Sequence, residues 1–130
     1  MLAKLVPLVV MLTVILQFWV MFEVGRARKR TGLKAPATTG APEFERAFRV
    51  QMNTLEQTVM FLPSLWLCVQ FANPEIAAVL GMLWIIGRVI YALAYYRDPA
   101  KRGLGFIIAL LANALLLAAA IWGWGVRAFS

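Results

Sequence analysis

One uncharged run, from Leu104 to Val126, extends over 23 residues and restricts the possible folds of this chain more than any other feature. About 20 helical residues cross the hydrocarbon core of a bilayer, which is about 30 Å thick. The run is too long for an ordinary strand and lacks strict alternation, so a helix is favoured. Leu5–Phe22 and Ile76–Tyr96 are similar runs, and Arg88 is their only charge. The pattern predicts membrane-spanning helices.

A fourth segment begins near Glu43 and ends near Ala72, and only its last part, from Val59 onward, is continuously apolar. The chain is 62% hydrophobic and 15% charged, whereas soluble domains average about one half and one quarter. We therefore predict an all-α membrane protein, a four-transmembrane-helix bundle. A single domain over residues 1–130 is expected, with helices at about 3–26, 43–72, 75–97 and 102–127.

The rarest residues exclude several chemistries. The chain has no histidine and a single cysteine, Cys68. A Ser–His–Asp triad, a histidine-ligated metal site, a disulfide and a CxxC pair are therefore excluded, and no metal centre is expected. The net charge is +7, but its cations lie between the apolar runs rather than on a soluble face. This placement indicates membrane topology and argues against nucleic acid as a partner.

The connections between the segments predict orientation. The first, residues 25–42, contains five cations and the third, residues 97–103, contains three, whereas residues 73–75 contain none. Positive residues favour the cytoplasmic side. Loops one and three are therefore expected in the cytoplasm, with both termini opposite. Basic residues follow the first apolar run and no small-residue cleavage site precedes them, which favours a retained helix over a cleaved signal peptide.

Segment two carries a polar stripe within its apolar surroundings. At 100° per residue, Arg49, Asn53 and Glu56 fall within about 60° of one another. Arg46 and Gln57 extend this arc to about 100°, and Met52 is expected elsewhere. Gln51 falls on another face, where it could serve a neighbouring subunit.

Segment three repeats the pattern with Arg88, Tyr91 and Tyr95 at i, i+3 and i+7. Both stripes are expected at comparable depth, where they could line one pocket open to the cytoplasm, with Arg28 and Arg102 near its mouth. An ion-pair network that only fixes helix packing is an equal alternative for Arg46, Arg49 and Glu56. The excess of arginine over acid and the asparagine and tyrosine donors favour an anionic polar ligand.

The segment Glu43–Glu56 follows the pattern EFERxxRxQxNxxE and is preceded by Thr38–Pro42, TTGAP. It resembles the signature of the MAPEG family, the membrane-associated proteins of eicosanoid and glutathione metabolism. The resemblance includes four segments of matching length, the stripe of segment three and Arg102. It implies a homotrimer of four-helix subunits, with glutathione as co-substrate bound between neighbours.

The resemblance also assigns roles to individual residues. One subunit would contact glutathione through Arg49, Asn53, Glu56, Tyr91 and Tyr95. Its neighbour would contribute Arg28 and Gln51. Arg88 would be a supporting charge, and Arg102 would be the catalytic residue that stabilises the glutathione thiolate. The implied activity is a transferase, or a peroxidase, acting on small hydrophobic electrophiles from the membrane lipid. Leukotriene C4 synthase-like members have tyrosine after the signature glutamate, and Gln57 in that position argues against leukotriene synthesis.

Two other functions fit a small four-helix membrane protein. Some members of the resembled family are non-catalytic lipid-binding or scaffold proteins, so the fold alone does not decide activity. A drug/proton antiporter requires a titratable carboxylate deep in its first helix. Glu23 lies at the basic loop end of that helix, which disfavours the antiporter.

Overall fold

The computed structural model describes residues 1–130 as a bundle of four helices without strands. The helices are α1 at Val6–Thr31, α2 at Pro42–Phe71, α3 at Pro74–Arg97 and α4 at Gly103–Phe129, with short 3-10 turns at Leu2–Leu5 and Pro99–Lys101. Three helical stretches are long and apolar enough to cross a membrane, at Leu2–Thr31, Pro74–Arg97 and Pro99–Phe129. Polar residues interrupt the remaining helix, α2. The expected all-α four-helix membrane protein is confirmed.

Local chemistry explains where the helices begin and end. The side chain of Asn73 caps α3, because its Oδ1 accepts hydrogen bonds from the backbone N–H groups of Glu75 and Ile76. The first helix does not end near residue 26, as expected, but continues to Thr31. Arginine and lysine are good helix formers, and cations in a last turn interact favourably with the helix dipole. The helix stops only at Gly32, whose φ of 72° is left-handed.

Glycines bring the backbones of α3 and α4 into close contact. Gly87 and Gly105 face the opposite backbone, and a Cβ built on Gly87 would lie 2.7 Å from the Ala109 backbone nitrogen. Small residues allow membrane helices to pack with their backbones in contact. Phe61 and Trp84 fill the centre with parallel rings, whose centroids are 3.9 Å apart. The bundle core therefore combines small residues at one interface with aromatic side chains at another.

One buried hydrogen bond ties α2 to α4. Asn113 Nδ2 donates to Ser64 Oγ at 2.9 Å, and Ser64 Oγ in turn donates to the carbonyl oxygen of Met60. Both side chains are buried. A polar group within a membrane bundle is satisfied by such a partner on a neighbouring helix.

The two ends of the bundle differ in character. At one end, the Met1 amine contacts Glu75 Oε1 at 3.0 Å, and Arg127 Nη1 donates to the Gln70 carbonyl oxygen at 2.9 Å. Both termini therefore lie beside the short connection between α2 and α3. Loop one and the connection from α3 to α4 lie together at the opposite end, which holds most of the cations.

Candidate functional site

A polar cavity opens at the end of the bundle where α3 passes into α4. Its volume is about 350 Å³, within the range of small-molecule sites. It is lined by Arg49, Met52, Asn53, Glu56, Tyr91, Tyr95 and Arg102. Side chains from three helices thus meet at one place in a chain that is otherwise largely apolar.

One face of α2 supplies the longest wall of the cavity. Arg49, Asn53 and Glu56 stand at i, i+4 and i+7, so they follow one another along the same side of the helix. Met52 joins them, although the helical wheel placed it elsewhere. It lies one turn from both Arg49 and Glu56, at i+3 and i−4, and this spacing could have indicated it. The cavity is therefore wider than the arc of polar residues that predicted it.

The tyrosines of α3 form the facing wall. Tyr91 is buried and Tyr95 is half-buried, and their ring centroids are 5.6 Å apart. Tyr91 also packs near Phe106 of α4. The aromatic rings give this wall an apolar body, and their hydroxyl groups provide hydrogen-bonding atoms.

Arg102 completes the cavity from the start of α4. It occupies the N-cap position of that helix, and its Nη1 donates to the carbonyl oxygen of Pro99 at 2.7 Å. This hydrogen bond anchors one nitrogen of the guanidinium to the preceding 3-10 turn. A guanidinium carries five N–H donors, so others are available for a ligand.

The cavity contains two cations and one acid. No salt bridge joins Arg49 to Glu56, and none of the three salt bridges in the chain involves a cavity residue. Within one chain, Arg46, Arg49 and Glu56 form no ion pair with one another. Positive charge remains available to an anionic ligand, with one carboxylate available to a cation.

Arg88 lies behind the cavity rather than in its lining. Its exposed fraction is 0%, and its Nη2 donates to Asn53 Oδ1 and Thr54 Oγ1, each at 2.8 Å. Its guanidinium carbon lies 4.2 Å from the centroid of the Tyr91 ring. Thr54, an acceptor for this buried cation, was not singled out in the sequence, because a threonine in an apolar helix gives no distinct signal.

Two residues that the resemblance assigns to a neighbour lie away from this cavity. Arg28 Nη1 donates to the Ala37 carbonyl oxygen at 2.8 Å, and its guanidinium carbon lies 4.3 Å from the centroid of the Phe44 ring. These contacts hold loop one against the start of α2. Gln51 is half-buried and lies outside the cavity lining. Within one chain, neither side chain reaches the polar cavity.

Arg46 belongs to a different part of the bundle from the one expected. It lines a smaller cavity between α1, α2 and α3, together with Glu23, Arg30, Glu43 and Tyr96. The helical wheel placed Arg46 beside Arg49, but α1 packs against α2 at this level and receives the Arg46 side chain. Gln57 is buried and also lies outside the polar cavity. The polar stripe of α2 is thus divided between two environments.

Comparison with known proteins gives a consistent result. The MAPEG family model matches residues 6–122. The chain is 43% identical to an uncharacterised protein of Synechocystis sp., over 95% of this chain and 91% of that protein. It is 39% identical to microsomal glutathione S-transferase 2 of Homo sapiens, over 77% of this chain and 68% of that protein.

Leukotriene C4 synthase of Cavia porcellus is 35% identical, over 92% of this chain and 79% of that protein. The family match therefore includes the cavity-bearing region from Arg49 to Arg102 and extends from the start of α1 into α4. On the extent of the family match and on these identities, the chain belongs to the MAPEG family.

Proposed function

We propose that this protein is a membrane glutathione S-transferase that conjugates glutathione to small hydrophobic electrophiles. The observation that carries the proposal is the charge of the polar cavity, with Arg49 and Arg102 on its walls and Glu56 as its one acid. Glutathione carries two carboxylates and one ammonium at neutral pH, which complement this set. The relatives named as a glutathione S-transferase and as leukotriene C4 synthase support it.

Each wall has a role in this proposal. Arg49 binds a carboxylate and Arg102 binds the thiolate, since guanidinium groups form charge-assisted hydrogen bonds. Glu56 binds the ammonium. Asn53, Tyr91 and Tyr95 orient the peptide through hydrogen bonds from their uncharged side chains. Met52 gives the lining an apolar side chain beside these polar groups.

Arg102 activates the sulfur. A free thiol has a pKa of about 8.5, so only a few per cent is thiolate at neutral pH. A guanidinium beside the sulfur lowers the thiol pKa and raises that fraction, and the thiol proton passes to water. The thiolate then forms a bond to the electrophilic carbon, and the leaving group departs with its electron pair. With a hydrophobic peroxide, the thiolate attacks one peroxide oxygen, the O–O bond breaks, and the alkoxide leaves and takes a proton from water. A second glutathione then reacts with the resulting sulfenic acid, which gives glutathione disulfide and water. Neither reaction requires a histidine base.

The functional unit in this proposal is a homotrimer. Arg49 and Glu56 are exposed on the surface of a single chain, in a helix surrounded by membrane-spanning segments. Charged side chains within a membrane bundle face protein or water rather than lipid. Neighbouring copies cover this face, bring Arg28 and Gln51 to the cavity, and leave its mouth toward the cytoplasm. Light scattering of detergent-solubilised protein is expected to give three chains of 14.5 kDa, and a monomer mass would contradict this assembly.

Substitution of Glu56 by glutamine tests the ligand. Glu56→Gln removes the charge that binds the ammonium, and glutathione affinity is expected to fall about 10-fold in calorimetric titration. Glu45→Gln is the matched control, since Glu45 accepts a hydrogen bond from the Gly40 backbone outside the cavity. Its glutathione affinity is expected to equal that of the wild type. A wild-type protein that gives no glutathione binding would overturn the proposal and indicate a non-catalytic lipid-binding or scaffold protein instead.

A further inference from the structure

The buried Arg88 guanidinium determines which atoms of Asn53 are available to a ligand. Arg88 is fully enclosed and contacts no carboxylate, and its Nη2 lies 2.8 Å from Asn53 Oδ1. An arginine side chain only donates hydrogen bonds, so the atom of the Asn53 amide that faces it must be the oxygen. The amide is planar, and its nitrogen therefore points to another side.

The Asn53 nitrogen is free to bind a ligand. Asn53 lines the polar cavity, and its Nδ2 donates no hydrogen bond to any atom of the chain. The buried side-chain atoms that lack a hydrogen-bond partner do not include this nitrogen. Because it has no partner within the chain either, it must be accessible rather than enclosed within the bundle. An accessible donor on a cavity wall that already carries Arg49 and Arg102 adds to a surface suited to anions.

We propose that Arg88 is a positioning residue, which holds the Asn53 amide with its nitrogen toward the cavity and so favours an anionic group over a neutral one. The inference rests on the proposed function, because it concerns the preference of the same site. Without Arg88, the amide can rotate and present its oxygen, which repels a carboxylate. Hydrogen bonds to charged acceptors are roughly twice as strong as neutral ones, so a fixed donor discriminates a carboxylate from its ester.

The measured quantity is the ratio of the affinity for glutathione to the affinity for each of its two monoethyl esters. Arg88→Leu is expected to lower this ratio about 10-fold for the ester at the carboxylate that contacts Asn53. Arg88→Lys retains a donor and is expected to restore part of the ratio. In an Asn53→Ala background, Arg88→Leu is expected to have no further effect, because its action passes through Asn53. An equal loss in both backgrounds would show a structural role only and overturn the proposal.

Asn53→Asp provides a second test that leaves Arg88 in place. The aspartate keeps an oxygen for Arg88 and places another oxygen where the amide nitrogen faced the cavity. Glutathione affinity is expected to fall about 10-fold or more, and affinity for the ester that removes the contacting carboxylate is expected to fall less. Unchanged glutathione affinity in Asn53→Asp would contradict the proposal.

Glutarate, a plain dicarboxylate, separates this inference from the proposed function. Binding of glutarate but not glutathione by the wild type would overturn the glutathione assignment. The same variants then test the orientation of Asn53 through their glutarate affinities, with a loss expected in Arg88→Leu and in Asn53→Asp. A wild-type protein that binds neither anion would overturn the inference together with the proposed function.

Discussion

Arg102→Ala is expected to lower the kcat/KM of glutathione conjugation by about 100-fold. This is the typical effect of removing one hydrogen-bond donor that stabilises negative charge during a reaction. The Pro99 carbonyl oxygen already anchors one nitrogen of the guanidinium, and in the proposed mechanism another nitrogen faces the sulfur. In the variant, the glutathione thiol ionises nearer its ordinary pKa of about 8.5. Because the thiolate reacts, the rate should rise with pH in both proteins, with the midpoint displaced to higher pH in the variant. Initial rates against pH with a model electrophile measure both effects.

The matched control is the preceding cation. Lys101 is exposed and lies outside the cavity lining, so Lys101→Ala removes the same formal charge from the same end of the bundle. Its rates and pH profile are expected to match those of the wild type. If Arg102→Ala retains the wild-type rate and midpoint, Arg102 does not activate the thiol.

Gly105→Ala is expected to reduce bundle stability by about 3 kcal/mol, at the upper end of the cost of overpacking. A Cβ at this position would lie 2.6 Å from the Gly87 carbonyl oxygen and would also meet the backbone nitrogen of Tyr91. Neither atom belongs to a flexible side chain, so α3 and α4 must separate. This separation moves Tyr91 away from Arg102, and conjugation activity should fall with stability. The midpoint of thermal loss of monodisperse elution measures the first effect.

Gly103→Ala is the control in the first turn of the same helix. A Cβ on Gly103 would have no neighbour within 4 Å. Alanine is a better helix former than glycine by up to about 1 kcal/mol, so this variant is expected to be as stable as the wild type or slightly more stable. Equal stability of the two variants would show that the α3–α4 approach is not limiting.

Long apolar runs were sufficient to predict α1, α3 and α4, because bilayer thickness sets a minimum length that can be read directly from the sequence. The polar first half of α2 was predicted from its helical periodicity instead. The predicted end of α1 was wrong because the basic residues were taken to mark a loop, whereas Arg28 and its neighbours form the last helical turn. A basic helix end and a basic loop have the same composition. Only Gly32, with its left-handed backbone, marks the actual stop.

Helical periodicity predicted some of the cavity residues and not others. Helical periodicity brings Arg49, Asn53 and Glu56 to one face, and the structure places all three in one cavity. Periodicity gives direction around an axis, but it does not show which neighbouring helix lies there. Arg46 shares the predicted arc and still faces α1. Met52 lines the cavity because the cavity is wide, and this width is set by the packing of three helices.

The hydrogen bonds of Arg88 have a consequence for how the chain enters the membrane. A central arginine raises the cost of inserting a single helix by about 3 kcal/mol. Its acceptors Asn53 and Thr54 belong to the preceding helix, and only Ala72 and Asn73 separate α2 from α3. The two acceptors therefore precede the Arg88 guanidinium in the chain, in the neighbouring helix. We therefore expect α2 and α3 to insert together as a hairpin, which brings the arginine into the bilayer with both of its acceptors.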